Sequence, residues 1–183
     1  MTTFNVPTKA DVTPEAQAIF DNLEKGLGMV PNLYAYIGNS ANALGSYLQF
    51  SQAQAKGTFS SKEREAIFLA VSQENGCEYC QAAHTYLGKA NGFSEEETIA
   101  IRVGNHGDKK IDIITRLAAD IQHTKGYPSR ELLEDFFALG YSHTALVDLI
   151  ALVADKVFMN YIHNITKVPV DFPSAPVLAT QEV

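Results

Sequence analysis

Helix punctuation recurs along the whole chain and leaves little room for a sheet. Thr13-Pro14-Glu15 joins a capping residue to a proline at the first helical position, and Gly26 and Gly28 close that segment. Pro31 opens a short helix toward Gly38, and Ser40 to Lys56 reads as another, closed by Gly57. Ser60-Ser61-Lys62-Glu63 has the capping-box pattern, in which serine and glutamate satisfy each other's backbone donors, and it opens a helix to about Asn75. Cys77 to Ala90 follows, stopped by Asn91-Gly92, and Ser94-Glu95-Glu96-Glu97 is a second box leading to Gly104. Asp108 to Lys125, Ser129 to Leu139 and a long helix from Ser142 to about Lys167 complete the series, before Pro169 and Pro173 announce an extended tail over 168–183. Alternation of apolar and polar residues, the mark of a half-buried strand, is hard to find. The expected fold class is all-α.

At 183 residues and 46% hydrophobic content the chain can bury a sizeable core, and its length suits one domain spanning 1–183. Lys56-Gly57-Thr58-Phe59-Ser60 and Lys125-Gly126-Tyr127-Pro128-Ser129 share K-G-x-x-S between helices. Duplicated helical units would explain the match, and so would the ordinary chemistry of helix ends. The net charge of −7 argues against nucleic acid or an anionic membrane surface as partner. The opening Met1-Thr2-Thr3-Phe4 lacks the basic start and apolar run of a signal peptide. The most apolar stretch, Ala145 to Phe158, is interrupted by Asp148, Asp155 and Lys156 and is too short and charged to span a bilayer. A cytoplasmic protein is the default expectation.

Only two cysteines occur, too few for a disulfide-stapled scaffold, and they stand together in Gly76-Cys77-Glu78-Tyr79-Cys80-Gln81-Ala82-Ala83-His84. On a helix, positions 77, 80, 84 and 87 share one stripe. Cys77 and Cys80 fall in the first turn, where free N–H groups and the helix dipole favour a thiolate. His84 lies one turn deeper, placed to take or relay a proton. Three readings stand: two buried small side chains, a zinc site, or a redox dithiol. Zinc lacks a second cysteine pair, and c-type haem attachment needs histidine where Gln81 stands. The redox dithiol is the favoured reading, because an oxidised cysteine at this spacing has a partner to resolve it. No cofactor or metal is expected.

Glu65 opens the run Ala66-Ile67-Phe68-Leu69-Ala70-Val71, apolar on every side and therefore buried. Its carboxylate is either partly desolvated and suited to proton transfer, or a wet first-turn glutamate favoured by the dipole, as Glu63 is. His163, near the end of the last helix beside Asn164, is read as a favourable dipole contact. His106, His123 and His143 are read as surface residues, and Glu95 to Glu97 as a solvated first turn. Tyr34, Tyr36, Tyr47 and Phe50 recur at helical spacing and are read as core or subunit contact rather than a cofactor box.

Arg64-Glu65, the interval to Cys77, and then C-x-x-C-x-x-x-H together resemble the AhpD-like alkylhydroperoxidase branch of the carboxymuconolactone decarboxylase family. The match covers about 40–92, and the ending from Asn160 to Asn164 and Val168 to Pro173 is similar to longer, peroxidase-related members. The resemblance implies an AhpD-like helical bundle that assembles as a homo-oligomer, a trimer or hexamer. It implies reduction of alkyl hydroperoxides, with Cys77 and Cys80 cycling between dithiol and disulfide, His84 and Glu65 relaying protons, and an external thiol or redox partner protein restoring the pair. Thiol–disulfide exchange with a protein partner and a non-catalytic redox-sensing subunit are the rival expectations. Alkylhydroperoxidases carry histidine just before the second cysteine, and Tyr79 replaces it here. Cys80, adjoining His84, is expected to attack first, with Cys77 the more accessible resolving thiol; the reverse order is the alternative, since the helix dipole favours the outermost thiol.

Overall fold

The computed structural model describes residues 3–178, and among them helix is the only regular secondary structure. After a 3-10 turn at Lys9–Asp11 come α1 (Pro14–Leu27), α2 (Asn32–Ile37), α3 (Ala41–Gln54), α4 (Ser61–Glu74) and α5 (Glu78–Ala90). The second half holds α6 (Glu95–Arg102), α7 (Lys109–His123), α8 (Arg130–Ala138) and α9 (His143–Thr166). Each helix expected from the sequence is present, and Thr13, Ser60 and Ser94 cap theirs as expected. The Thr13 hydroxyl accepts from the Ala16 amide, and Gly28 closes α1 in the left-handed region at φ 77°. Both capping boxes form reciprocally, Ser60 with Glu63 and Ser94 with Glu97.

α4 is the central helix. Ala66 to Ser72 are buried without interruption, and α5, α6, α7 and α9 pack around them. One apolar core lies between α4, α6, α7, α8 and the first half of α9. A second gathers α1, α2, α3, the start of α5, Met159 and Val168. Each fully buried aliphatic side chain in these cores contributes roughly 1.5–3 kcal/mol. At 24 residues, α9 is about 36 Å long and belongs to both cores. No helix among the described residues is long and apolar enough to cross a membrane.

The two K-G-x-x-S strings are built differently. Ser60 and Ser129 both cap the helix that follows. Lys125 and Gly126, however, take left-handed backbone at φ 57° and 92°, whereas in the first link Thr58 is held through its amide and hydroxyl by Asp148 of α9. Phe59 is buried and Tyr127 exposed. What the strings share is cap chemistry.

Beyond α9 the tail runs back over α2 and α5. Asp171 accepts from the Asn32 amide at 2.6 Å and from the Tyr79 hydroxyl at 2.6 Å, and Arg102 donates to the Pro176 carbonyl. The end of the expected tail, 179–183, lies outside the described residues, as do Met1 and Thr2.

Candidate active site

The cysteines sit on the turn between α4 and α5. Gly76 makes that turn with φ 60°, a conformation that costs other residues about 1–2 kcal/mol. Cys77 is the N-cap of α5 rather than a first-turn residue: its amide donates to the Ser72 carbonyl, and its sulfur accepts from the Cys80 amide at 3.3 Å. Amides pin the turn to α9. Asn160 donates to Ser72 Oγ and accepts from Asn75, while Asn164 donates to the Asn75 carbonyl at 2.7 Å. Gln122 of α7 donates to Asn75 Oδ1.

Both cysteines are free thiols, and both are buried, Cys77 completely. The expectation of an accessible Cys77 is therefore corrected: capping draws its side chain back over the helix end, beneath α9. Its pKa falls to about 5, because the Cys80 side chain stabilises the thiolate and, with His163 and the Cys80 amide also favouring it, burial is outweighed. Burial pushes Cys80 the opposite way, reinforced by the neighbouring Cys77 sulfur. One negative charge thus belongs to the pair and rests on Cys77.

His163 lies in the last turn of α9, as a dipole contact would. It is also buried, with its ring 5.5 Å from that of Tyr79, and it is one of the groups that lower the Cys77 pKa, which its place in the sequence did not show. His106 is likewise not a surface residue: its ring packs edge-on against Phe93, and its Nδ1 accepts from the Asp108 amide. His123 and His143 are exposed, as are Glu95 and Glu96. Of the aromatic set, Tyr47 is core, Tyr34 and Tyr36 are half-buried and Phe50 is exposed.

Glu65 and His84 meet. His84 Nδ1 lies 2.8 Å from Glu65 Oε2, with the side chains only 10% and 15% exposed. Since a carboxylate accepts, Nδ1 carries the proton and Nε2 is left as the basic nitrogen. Burial lowers the pKa of His84, and the nearby Lys156 lowers it further, against the opposing pull of Glu65.

Lys156 is almost fully buried, its Nζ 3.4 Å from Asp155 Oδ1 and 4.1 Å above the Phe68 ring. Tyr47 donates to the same Asp155 oxygen at 3.1 Å. Burial opposes the lysine's charge, but Asp155 and the other groups around it more than compensate, so its pKa lies above the usual lysine value. In the sequence Asp155 and Lys156 count only against a membrane span; in the fold Asp155 partners Lys156, and Lys156 lines the same cleft as Cys80.

Cys80, His84 and Lys156 all line a cleft of about 360 Å³. Its walls are apolar, from Leu33, Tyr34, Leu87, Met159 and Phe172, and Leu27, Met29 and Tyr86 are its exposed apolar residues. Cys77 is not among the lining residues. Tyr79, where the resembling enzymes carry histidine, is a structural tie. Its hydroxyl holds Asp171, and its ring meets Phe172 edge-on, fixing the tail as a wall of the cleft. Burial and the bond to Asp171 push its pKa up, so it stays a neutral donor. Among the described residues no three His, Cys, Asp or Glu side chains cluster as a metal site would.

Residues 41–106 match the Carboxymuconolactone decarboxylase family. No curated protein matches the sequence. Among solved structures, an uncharacterized peroxidase-related protein with an alkylhydroperoxidase AhpD core, from Ralstonia eutropha JMP134, superposes with a TM-score of 0.81 at 17% identity, over 92% of this chain and 91% of that one. A peroxidase-related protein from Silicibacter sp. TM1040 gives 0.77 at 21% identity, over 92% and 91%. The debrominase Bmp8 gives 0.77 at 16% identity, over 93% of both chains. At these identities the likeness establishes the AhpD-like fold, and with the family match it bears out the resemblance read from Glu65, Cys77, Cys80 and His84.

Proposed function

We propose that this AhpD-like member of the carboxymuconolactone decarboxylase family reduces organic hydroperoxides with its Cys77–Cys80 dithiol. The observation that carries the proposal is the Glu65–His84 hydrogen bond, since His84 lines an apolar cleft together with Cys80, whose amide is bonded to the Cys77 sulfur. His84 takes the Cys80 proton. The Cys80 thiolate attacks the outer oxygen of R–O–OH, the O–O bond breaks, and the electron pair leaves with RO⁻ as sulfur becomes a sulfenic acid. His84 returns its proton to give ROH. The Cys77 thiolate then attacks the Cys80 sulfur, forming the disulfide and releasing hydroxide, which is protonated to water. Two electrons from an external thiol restore the pair.

Burial of both sulfurs favours a small substrate over a protein disulfide, and points to a small thiol entering the same cleft as reductant. The same reading includes a homo-oligomer in the cytoplasm. Along α9, Val147, Ala151, Ala154, Phe158, Tyr161 and Ile165 recur at strict heptad spacing, and most are exposed. A stripe of this kind packs against a second copy of itself.

The test is peroxide consumption by Cys80→Ser and Cys77→Ser with tert-butyl hydroperoxide, with sulfenate trapping. Cys77→Ser should complete one turnover and accumulate trapped sulfenate, while Cys80→Ser should consume none. Single-turnover reduction retained in Cys80→Ser overturns the assignment of the attacking thiol. Reduction of a protein disulfide without peroxide turnover would favour the exchange reading. A redox-dependent change of assembly without turnover would favour a sensor.

A further inference from the structure

The resting charge and the sulfur that faces substrate do not coincide: Cys77 holds the thiolate, but Cys80 lines the cleft. We propose that Lys156 stabilises the thiolate that forms on Cys80 when His84 takes its proton, and then holds the oxygen anion released when the O–O bond breaks. The first role needs only the dithiol; the second rests on the hydroperoxide reading above.

The geometry around Lys156 suits a working cation better than a buried strut. Its Asp155 contact, at 3.4 Å, is longer than the roughly 2.7–2.9 Å of a charge-assisted hydrogen bond, and Tyr47 shares that oxygen. An ammonium has three donors, so Asp155 alone does not saturate it. Lys156 itself lines the cleft with Cys80 and His84. Phe68 contacts both Lys156, at 4.1 Å, and the His84 ring, at 5.1 Å, which places the two side chains on one aromatic platform.

The charged and titratable groups facing Lys156 are Asp155 on its own helix, Tyr34 from α2, Tyr47 from α3, Glu65 from α4, and Cys80 and His84 from α5. With His84 neutral, Lys156 is the one cation in that set. Beside the Cys77 thiolate, the reaction passes one further negative charge through the cleft, first on Cys80 sulfur and then on the departing RO⁻. In a desolvated site a fixed cation stabilises such a charge far more than it would in water. Lys156 lowers the pKa of Cys80 against the effect of burial, while its own raised pKa keeps it charged. Lys156 also lowers the pKa of His84. The proton taken from Cys80 is therefore readily passed on to RO⁻, so that the lysine holds the anion and the histidine protonates it.

The test titrates each sulfur alone, by the pH dependence of iodoacetamide alkylation. In a Cys77→Ser background, Lys156→Met should move the Cys80 titration upward by about one unit, about tenfold in rate at a fixed pH below it. Lys156→Arg should recover most of that loss. In a Cys80→Ser background, Lys156→Met should change the Cys77 titration much less. The double variant Asp155→Asn/Lys156→Met removes both charges together and keeps the reasoning testable where the single variant does not fold; it should give the same upward shift. An unchanged Cys80 titration in these variants, or equal shifts for both sulfurs, overturns the proposal. So does a Lys156→Arg variant no better than Lys156→Met. Absence of peroxide turnover in the unmodified protein would sink the hydroperoxide reading and leave the Cys80 titration interpretable; normal turnover with an unchanged titration would sink the role of Lys156 alone.

Discussion

Replacing Glu65 by glutamine tests the relay most sharply, because it preserves shape and changes charge and hydrogen-bond polarity. Glu65 Oε2 now accepts from His84 Nδ1 at 2.8 Å, leaving Nε2 free to take a proton. A glutamine amide in that place can donate to Nδ1 instead, which moves the ring proton to Nε2 and removes the base. It also removes the carboxylate that stabilises the imidazolium, in a pair too buried for solvent to screen. A positioned base contributes roughly 10²–10⁴ in rate, so Glu65→Gln should slow single-turnover sulfenate formation by about that factor, or about 3–5 kcal/mol in barrier. The pH profile adds a signed readout. His84 is held below its ordinary value of 6.5, so the acid limb of the unmodified enzyme should lie below that pH. Glu65 is one of the groups raising the His84 pKa, so losing it should push the limb lower still even as the plateau falls. The assay is stopped-flow peroxide consumption with thiol trapping from pH 4 to 9. A Glu65→Gln variant within about threefold of the unmodified rate, or an acid limb moved upward, would refute the reasoning.

Tyr79→Phe removes the donor that holds Asp171 at 2.6 Å and should cost about 1.5–3 kcal/mol in urea denaturation, with the cleft wall at Phe172 loosened. Gly76→Ala meets no atom within 4 Å, so its cost is conformational, about 1–2 kcal/mol, read as a melting temperature lower by a few degrees. His163→Phe keeps an aromatic ring but removes the imidazole that helps lower the Cys77 pKa; thiolate absorbance should show the Cys77 titration moving up from about 5. Phe158→Glu with Ile165→Glu places charge on the α9 stripe and should reduce the mass measured by light scattering, whereas an unchanged mass would place the oligomer contact elsewhere.

What was legible in the sequence is what neighbours along the chain decide. Ser60, Ser94 and Thr13 announce their helices because a cap acts over three residues, and Cys77, Cys80 and His84 announce one another because they share a single helix. The Glu65–His84 contact joins two helices, and only the family resemblance pointed to it. His163 and Lys156 come from α9, far along the chain. A histidine near a helix end and a lysine in an apolar run have ordinary local explanations, and only tertiary packing brings them to the cysteines. The burial of Cys77 was missed for a related reason: a position at the end of a helix reads as exposed until another helix covers it. Tyr79 was legible as a departure from the resembling enzymes, but its partner Asp171 lies in the tail, so its tying role emerged only from the fold.

Hydroperoxide reduction by the Cys77–Cys80 dithiol is decided by exposing the fully reduced protein, without air, to one equivalent of tert-butyl hydroperoxide. Peroxide loss, free thiols and intact mass are then followed together. One peroxide should be consumed per chain, both thiols should disappear, and the peptide carrying Cys77 and Cys80 should be recovered as an internal disulfide. Peroxide left unconsumed with both thiols intact would contradict that reaction.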